Sequence, residues 1–225
     1  SLVTYDIALY GHLTNDRIIE DFKETNSVGA IGNVWHHLTL VNPNLKVYIC
    51  PTEIGEGLIY VNKNKSERTS IANMSMYKKW PDIKSAKINH ICYLNTLQDT
   101  SFINYLEGTI SVDLCTGKKL KLDLLSKVDY LFISEEDMYY DIEELKEIMY
   151  KGYIIYHYPN GSIVYHKGKE NITNLDPLNN INVLGLGDRF AATVLNYMLT
   201  SKLKFPDLVN RSHLDMTLWI EKELI

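Results

Sequence analysis

Residues 185–199 read GLGDRFAATVLNYML, and this stretch decides the fold prediction. After the turn Gly185-Leu186-Gly187, apolar residues recur at the spacing of one helical face, namely Phe190, Ala191, Val194, Leu195, Met198 and Leu199. Asp188 therefore lies in the first turn of a helix. A helix N-terminus offers free N–H groups and a partial positive charge, and glycines let an anion approach the backbone. The stretch predicts a phosphate-binding cradle.

Asp188 has two interpretations at this point. A carboxylate beside such a cradle can accept a proton from a substrate hydroxyl while the N–H groups stabilise a phosphoryl group in transfer. Aspartate is also a common helix cap, which would give Asp188 a purely structural role. A Gly-x-Gly turn alone does not decide between them.

Outward from this stretch, short apolar runs alternate with helical patterns. We predict strands at 5–10, 46–50, 88–94, 109–114, 130–133 and 153–156, and helices near 100–107, 119–126 and 142–150. The first strand ends at Gly11 in a loop, and a glycine-rich turn at 26–33 leads into a helix that ends near Asn42. Residues 57–61 and 69–72 form a polar hairpin. Such alternation predicts a mostly parallel sheet covered on both faces, with ligands bound beyond the carboxyl ends of its strands.

Composition narrows the class of protein. With 225 residues, 45% of them hydrophobic, the chain can bury one core, so we expect a single domain over residues 1–225. A net charge of -5 argues against a nucleic-acid surface and favours small-molecule partners. No apolar run has the length of a membrane span, and Ser1-Leu2-Val3 does not begin a signal peptide, so we expect a cytoplasmic protein without membrane partners.

Cysteines and histidines give no metal motif by spacing. Cys50, Cys92 and Cys115 are widely separated, and we interpret them as reduced core residues. His36 and His37 are adjacent and would point about 100° apart on a helix. We interpret them as core or surface histidines.

Residues 182–192 resemble the late motif of the PfkB carbohydrate kinases, approximately Asp-Thr-x-Gly-Ala-Gly-Asp followed by Ala-Phe-x-Ala-Gly. The resemblance implies a ribokinase-like α/β fold: a three-layer αβα sandwich with a mostly parallel central sheet and a small β lid. It places Asp188 at the catalytic base and Gly185, Leu186 and Gly187 at the anion hole.

The acceptor side of the family pattern is present in the same order. Residues 11–16 look like the first loop, whose final Asp16 would bind sugar hydroxyls, and Gly29 to Asn33 looks like the Gly-Gly-x-x-x-Asn element. Carboxylate and carboxamide groups suit hydroxyl recognition. The structural alternatives are that Asp16 caps a helix over residues 17–22 and that Asn33 is an ordinary turn residue.

The lid of the family has a Gly-Glu-Arg-Thr turn, which Ser66-Glu67-Arg68-Thr69 resembles. The resemblance gives Arg68 a place over the sugar and builds the lid from parts of 11–30 and 44–75. A solvated hairpin charge is the alternative for Arg68. Apolar alternation at Leu58, Tyr60 and Ile71 further suggests a homodimer formed through the lid.

The nucleotide side departs from the family. Ser134-Glu135-Glu136-Asp137 stands where members have Asn-x-x-Glu, and Ser134 with Asp137 also resembles a capping box. Residues 157–161, His157 to Gly161, replace the Thr-x-Gly-x-x-Gly element and retain a turn. Asn210 resembles an Asn of the family's last helices, near the nucleotide base. These five positions are the nucleotide-binding candidates: Ser134, Asp137, His157, Gly161 and Asn210.

The resemblance therefore implies an ATP-dependent kinase that phosphorylates a hydroxyl of a sugar, nucleoside or similar small molecule. Magnesium would bridge the ATP phosphates through water, with no direct protein ligand assigned. The alternative is a sugar-binding or scaffolding protein that kept the fold and lost efficient transfer. Intact Asp188 and both glycines favour the kinase, because phosphoryl transfer depends on positioning and electrostatics.

Overall fold

The computed structural model describes residues 4–62, 67–74, 80–114, 122–137, 140–177 and 185–223. Its strands are β1 (Tyr5–Glu20), β2 (Lys23–Ala30), β3 (Val47–Asn62), β4 (Glu67–Met74), β5 (Ala86–Cys92), β6 (Thr109–Asp113), β7 (Tyr130–Ser134), β8 (Tyr153–Tyr158), β9 (Gly161–His166) and β10 (Lys169–Asn174). Its α-helices are α1 (Ile31–Val41), α2 (Ile142–Ile148), α3 (Leu186–Thr200) and α4 (Phe205–Glu223). Short 3-10 helices cover Leu94–Thr96, Ser101–Tyr105, Leu122–Lys127 and Glu135–Asp137.

The described strands form one sheet in the order β10-β9-β8-β7-β6-β5-β1-β3-β4, and β2 pairs with β1. The neighbours from β8 to β3 run parallel, whereas β9, β10, β4 and β2 are antiparallel to their partners. A parallel sheet collects the carboxyl ends of its strands at one edge. Ligands of such folds bind at this edge, so the position of the start of α3 relative to it matters for function.

Helices cover both faces of the central sheet. Ile7 and Leu9 of β1 pack against α1 and α3, while Ala8 and Tyr10 pack on the opposite face beside Phe102. All four β1 side chains are fully buried, which explains why the strand reads as a continuous apolar run. The fold prediction of a three-layer α/β sandwich with a mostly parallel sheet is confirmed. No helix in the described part of the chain has the length and apolar character to cross a membrane.

The prediction that β1 ends at Gly11 is wrong. β1 continues to Glu20, with a register shift between Gly11 and His12. Gly11 has φ 125°, and a Cβ there would collide with the carbonyl oxygen of Cys92. The glycine therefore lets β1 pass close to the end of β5 and continue beyond the sheet's edge, paired with β3 and β2.

We call the strand segments 12–30, 53–62 and 67–74 the β-extension. Its base is fixed by the buried His12, whose Nε2 lies 2.7 Å from Glu53 Oε2. The other oxygen of Glu53 accepts a hydrogen bond from the Gln98 N–H at 2.8 Å. His12 Nδ1 accepts the Tyr93 N–H at 3.1 Å, and burial lowers the pKa of His12.

Two segments predicted as helices contain 3-10 helices in the described residues. The segment near 100–107 is the 3-10 helix Ser101–Tyr105, and the described part of the one near 119–126 is the 3-10 helix Leu122–Lys127. Only short apolar stretches there face the core, through Phe102, Ile103 and Leu125. The expected hairpin of β3 and β4 is present, with Leu58 opposite Ile71.

Candidate active site

Helix α3 begins directly after Gly185, which has the left-handed conformation φ 79°, ψ 0°. Gly185 is the N-cap residue, so Asp188 is the third residue of the helix and does not cap it. The structural alternative for Asp188 as the N-cap is therefore wrong. Its carboxylate remains in the first turn, where the helix dipole favours a negative charge.

Asp188 is joined to the start of α1. The Asn33 Nδ2 donates a hydrogen bond to Asp188 Oδ2 at 2.5 Å, across 155 positions of sequence. Asn33 is the third residue of α1, so the ordinary-turn alternative for Asn33 is also wrong. The N-termini of two helices meet at one carboxylate, and the candidate base Asp188 contacts the candidate acceptor-binding residue Asn33.

His37 is a member of this constellation that the sequence interpretation missed. It follows Asn33 by one helical turn, and its Nε2 would lie 3.3 Å from a Cβ placed on Gly185. Burial chiefly, and then the charge of Arg189, lowers the pKa of His37 to about 4, so the ring is neutral. The i, i+4 spacing from Asn33 was the available signal, because such residues share a helix face.

A side chain at the Gly185 turn would be in close contact with its neighbours. A Cβ on Gly185 would lie 3.3 Å from both Asn33 Nδ2 and His37 Nε2, on a backbone whose φ disfavours other residues. A Cβ on Gly187 would lie 3.4 Å from Cε1 of His157. Among the predicted nucleotide-side residues, His157 is thus placed beside Gly187, a residue of the predicted anion hole.

Asp16 lies in the β-extension, between two glycines. It pairs with Ser27 on β2 and with Gly57 on β3. A Cβ on Gly57 would collide with its Oδ1, and a Cβ on Gly29 would collide with its Oδ2 and with Thr14 Oγ1. The prediction of a loop at 11–16 and the alternative of a helix cap at Asp16 are wrong, because the segment is a strand hydrogen-bonded on both sides.

This arrangement gives Gly29 a structural contribution beside its predicted place in the acceptor site. Its missing side chain leaves space for the half-buried Asp16 carboxylate, and Gly57 leaves space on the other side. Ile18, two residues on, packs with Ile59 and Val61 in a small buried cluster. The apolar cluster fixes the face of the strand on which Asp16 projects.

A cluster of aromatic side chains connects His157 to α3 and α4. The His157 ring lies 5.5 Å from Phe190, and Phe190 stacks on His213 of α4 at 4.5 Å. His213 Nε2 lies 2.7 Å from Ser162 Oγ, and burial lowers the pKa of His213 to about 4. These contacts tie β8, β9 and α4 to the first turns of α3.

The other nucleotide-side candidates have structural explanations. Asp137 Oδ2 accepts the Ser134 backbone N–H at 2.9 Å, which is the reciprocal bond of a capping box. Gly161 begins β9, where a Cβ would collide with the Thr173 carbonyl oxygen of β10. Asn210 is exposed on α4, three residues before His213.

The lid candidate Arg68 lies in β4 opposite Val61, and the structure describes its backbone alone. Ser66, Cys115 and residues 178–184, which include the start of the late motif, lie outside the described residues. Cys50 and Cys92 are buried and free of disulfides.

No family model matches the chain, and no curated protein sequence matches it. Solved structures match its fold. Adenosine kinase from Sinorhizobium meliloti has TM-score 0.72 at 12% identity, with 96% of this chain and 94% of that chain covered. Arabidopsis thaliana ribokinase complexed with ribose and ATP has TM-score 0.66 at 13% identity, covering 97% and 93%.

A pyrophosphate-dependent kinase in the ribokinase family, complexed with a pyrophosphate analog and myo-inositol, has TM-score 0.68 at 14% identity, with 94% of each chain covered. At these identities the likeness establishes the ribokinase-like fold.

Proposed function

We propose that this protein is a phosphotransferase that moves the γ-phosphoryl group of ATP onto a hydroxyl of a sugar or sugar-like small molecule. The observation that carries the proposal is the Asp188 carboxylate in the first turn of α3, bonded to Asn33 beside a glycine turn that a side chain would fill. Structural neighbours that act on adenosine and that bind ribose or myo-inositol support an acceptor of this class.

Asp188 acts as the general base. It takes the proton of the acceptor hydroxyl as the oxygen attacks the γ-phosphorus, the bond to the β-phosphate oxygen breaks, and ADP leaves. Asn33 holds the carboxylate in place through Oδ2 and can turn its amide oxygen toward acceptor hydroxyls. Base and acceptor are thereby oriented by the same side chain.

Gly185, Leu186 and Gly187 form the anion hole. Their backbone N–H groups at the start of α3 would meet the negative charge that spreads over the transferred phosphoryl group. The neutral His37 lies beside Gly185 and adds no formal charge, so charge stabilisation at the turn would come from the backbone N–H groups. The absent Cβ atoms provide the close approach.

Magnesium, when bound to the donor, neutralises phosphate charge. We assign it no protein ligand: Asp137, the family's candidate on this side, has one oxygen committed to the Ser134 N–H. His157 is the best-placed donor-side contact, because it adjoins Gly187. Ser134, Gly161 and Asn210 then contribute through the shape of the surrounding surface. We place the reaction in the cytoplasm, where ATP is available and free cysteines stay reduced.

The β-extension is proposed to be the lid. Asp16, held between Gly29 and Gly57, would bind acceptor hydroxyls from above, and Arg68 would close over them. Closure excludes water that would otherwise take the phosphoryl group.

The outer surface of the same extension is proposed to pair with a second copy. Tyr60 is 46% exposed and Ile71 is 59% exposed, on adjacent strands of which β4 is the sheet edge. Sedimentation of wild-type protein and of Ile71→Glu tests this: a dimer that becomes a monomer supports the pairing, and a wild-type monomer contradicts it.

The kinase proposal is tested by incubating the protein with pentoses, hexoses, nucleosides and inositols, each with ATP or with pyrophosphate and magnesium. Phosphorylated product is detected by 31P NMR. Turnover with one acceptor class supports the proposal. A complete absence of turnover, with thermal stabilisation by a sugar, contradicts it and favours the binding-protein alternative. Turnover with pyrophosphate but not with ATP would support a phosphotransferase and would show that its donor is pyrophosphate.

A further inference from the structure

We propose that His90, Cys92 and Asp113 form a binding site for a divalent transition metal, with zinc as the best-matched ion. The site is separate from the proposed phosphoryl-transfer groups and does not depend on them. A ring nitrogen of His90, the Cys92 Sγ and a carboxylate oxygen of Asp113 lie within 4.8 Å of one another.

The sheet register brings the three residues together. Cys92 is the last residue of β5 and pairs with Asp113, the last residue of β6. His90 precedes Cys92 by two positions, which places both side chains on one face of the strand. Sequence spacing gave no hint of this, because Asp113 is distant along the chain and a His-x-Cys pair is not a recognised zinc motif.

His90 is the second observation that points to an ion. Its side chain is fully buried, Nδ1 lies 2.8 Å from Ser111 Oγ, and Nε2 has no hydrogen-bond partner. A buried ring nitrogen without a partner is costly in a folded protein. With Nδ1–H donated to Ser111, Nε2 carries a lone pair, as in metal-bound histidines whose other nitrogen is held by an oxygen.

The charges of the donor set match a divalent ion. Burial lowers the pKa of His90 to about 3, so the imidazole is neutral and available as a ligand. A thiolate and a carboxylate supply two negative charges, which cancel the two positive charges of the ion. A neutral cluster avoids the cost of burying net charge at a site whose residues are 0%, 0% and 7% exposed.

The ligand types select the ion. Thiolate and imidazole favour zinc over magnesium or calcium, which prefer oxygen ligands. Zinc bonds of about 2.0 to 2.3 Å would draw the three ligand atoms, which lie within 4.8 Å of one another, around one ion. Three protein ligands leave a fourth position for water. Binding converts the Cys92 thiol to a thiolate, releases its proton to solvent and forms the sulfur–metal bond.

The location suggests what the ion does. His90 contacts Phe132 at 5.9 Å between ring centroids, and Phe132 contacts Phe190 of α3 at 6.3 Å. A metal here would join the ends of β5 and β6 beneath the first turns of α3. It would stabilise the part of the sheet that lies beneath the first turns of α3.

Metal binding is measured on the full chain, stripped with a chelator and dialysed against zinc alone. We expect one zinc per chain, a higher melting temperature, and a zinc affinity about 10- to 100-fold lower in Ser111→Ala, which frees His90 Nδ1. Zinc at background level in the folded wild-type chain would overturn the proposal. So would an unchanged affinity in His90→Gln.

Cobalt substitution identifies the cysteine without removing it. The chain has three cysteines, so a Cys50→Ser/Cys115→Ser double variant keeps Cys92 as its only thiol. A thiolate-to-cobalt charge-transfer band in both wild type and this variant supports the site. Its absence from the variant, with the fold intact by circular dichroism, assigns the metal elsewhere and contradicts the proposal. Because this variant retains Cys92, the result does not depend on whether Cys92→Ser folds.

Discussion

The Asn33 amide and the Asp188 carboxylate are 2.5 Å apart and link the first turns of α1 and α3. A second amide bridge, from Asn42 Nδ2 to Asn196 Oδ1 at 3.0 Å, links the far ends of the same helices. Both hydrogen bonds have a side-chain amide donor and connect the same two helices. They differ in their distance from the turn at Gly185. They provide a matched pair of sites for substitution.

Asn33→Asp is expected to move the acid limb of the pH–rate profile to higher pH by a unit or more. Two carboxylates at this separation share a proton, so the base would stay partly protonated near neutral pH. The measurement is kcat against pH, with Asn42→Asp as the control that leaves the profile in place. Identical shifts in both variants would contradict a role for Asn33 at the base.

Gly57→Ala is expected to raise the KM for the acceptor by about 10-fold or more while kcat changes less, because losing a group that pairs a substrate hydroxyl weakens recognition. The added Cβ collides with Asp16 Oδ1 and displaces the carboxylate. Glu56→Ala, at the exposed neighbouring position, is the control. If Gly57→Ala binds the acceptor normally, Asp16 is not an acceptor ligand.

His37→Ala is expected to lower kcat by about 10- to 100-fold, since small displacements of catalytic groups have effects of that size. The ring packs beside Gly185, and its removal lets the turn relax. His36→Ala removes the exposed neighbour and should leave kcat unchanged. Equal rates for both variants would assign His37 to packing alone.

Stability should fall in acid because of buried histidines, three of which have strongly lowered pKa values. Burial lowers the pKa of His37 and His213 to about 4 and of His90 to about 3, below the ordinary unfolded value of 6.5. The unfolded chain therefore binds more protons, and stability present above about pH 6.5 is lost toward pH 4. The slope near pH 5 reaches up to about 4 kcal/mol per pH unit.

Urea unfolding of metal-free protein at pH 7, 6 and 5 measures this slope. His213→Gln should reduce it by about a third, because one of the three proton-binding differences is gone. A free energy of unfolding that is constant from pH 7 to pH 5 would show that these rings protonate in the folded state.

Much of the fold could be predicted from sequence because its signals are local. The apolar residues at helical spacing after Gly185 predicted α3. The continuous apolar run of β1 predicted a strand buried on both faces. The continuation of β1 past Gly11 could not be predicted, since it depends on partners in β2 and β3 that are distant in sequence. Pairing of that kind overrides the local turn signal of a glycine.

The candidate site likewise combines residues that could be predicted from sequence with residues that could not. Asp188 and Asn33 were recognised by motif, and the structure adds the hydrogen bond that joins them. His37 and the His90–Cys92–Asp113 cluster were missed, because they are defined by packing against Gly185 and by the register of β5 with β6. The space that Gly29 leaves for Asp16 was not foreseen for a related reason, since it depends on the pairing of β1 with β2.

The most direct test of the account is the rate of phosphorylated-product formation by Asp188→Asn, with Asp207→Asn as control. Asp207 is an exposed aspartate in the first turn of α4, so it matches Asp188 in residue type and helix position. We predict that Asp207→Asn keeps the wild-type rate and that Asp188→Asn is slower by about 10² to 10⁴, with the KM for acceptor little changed. A wild-type rate in Asp188→Asn would contradict the claim that Asp188 is the catalytic base.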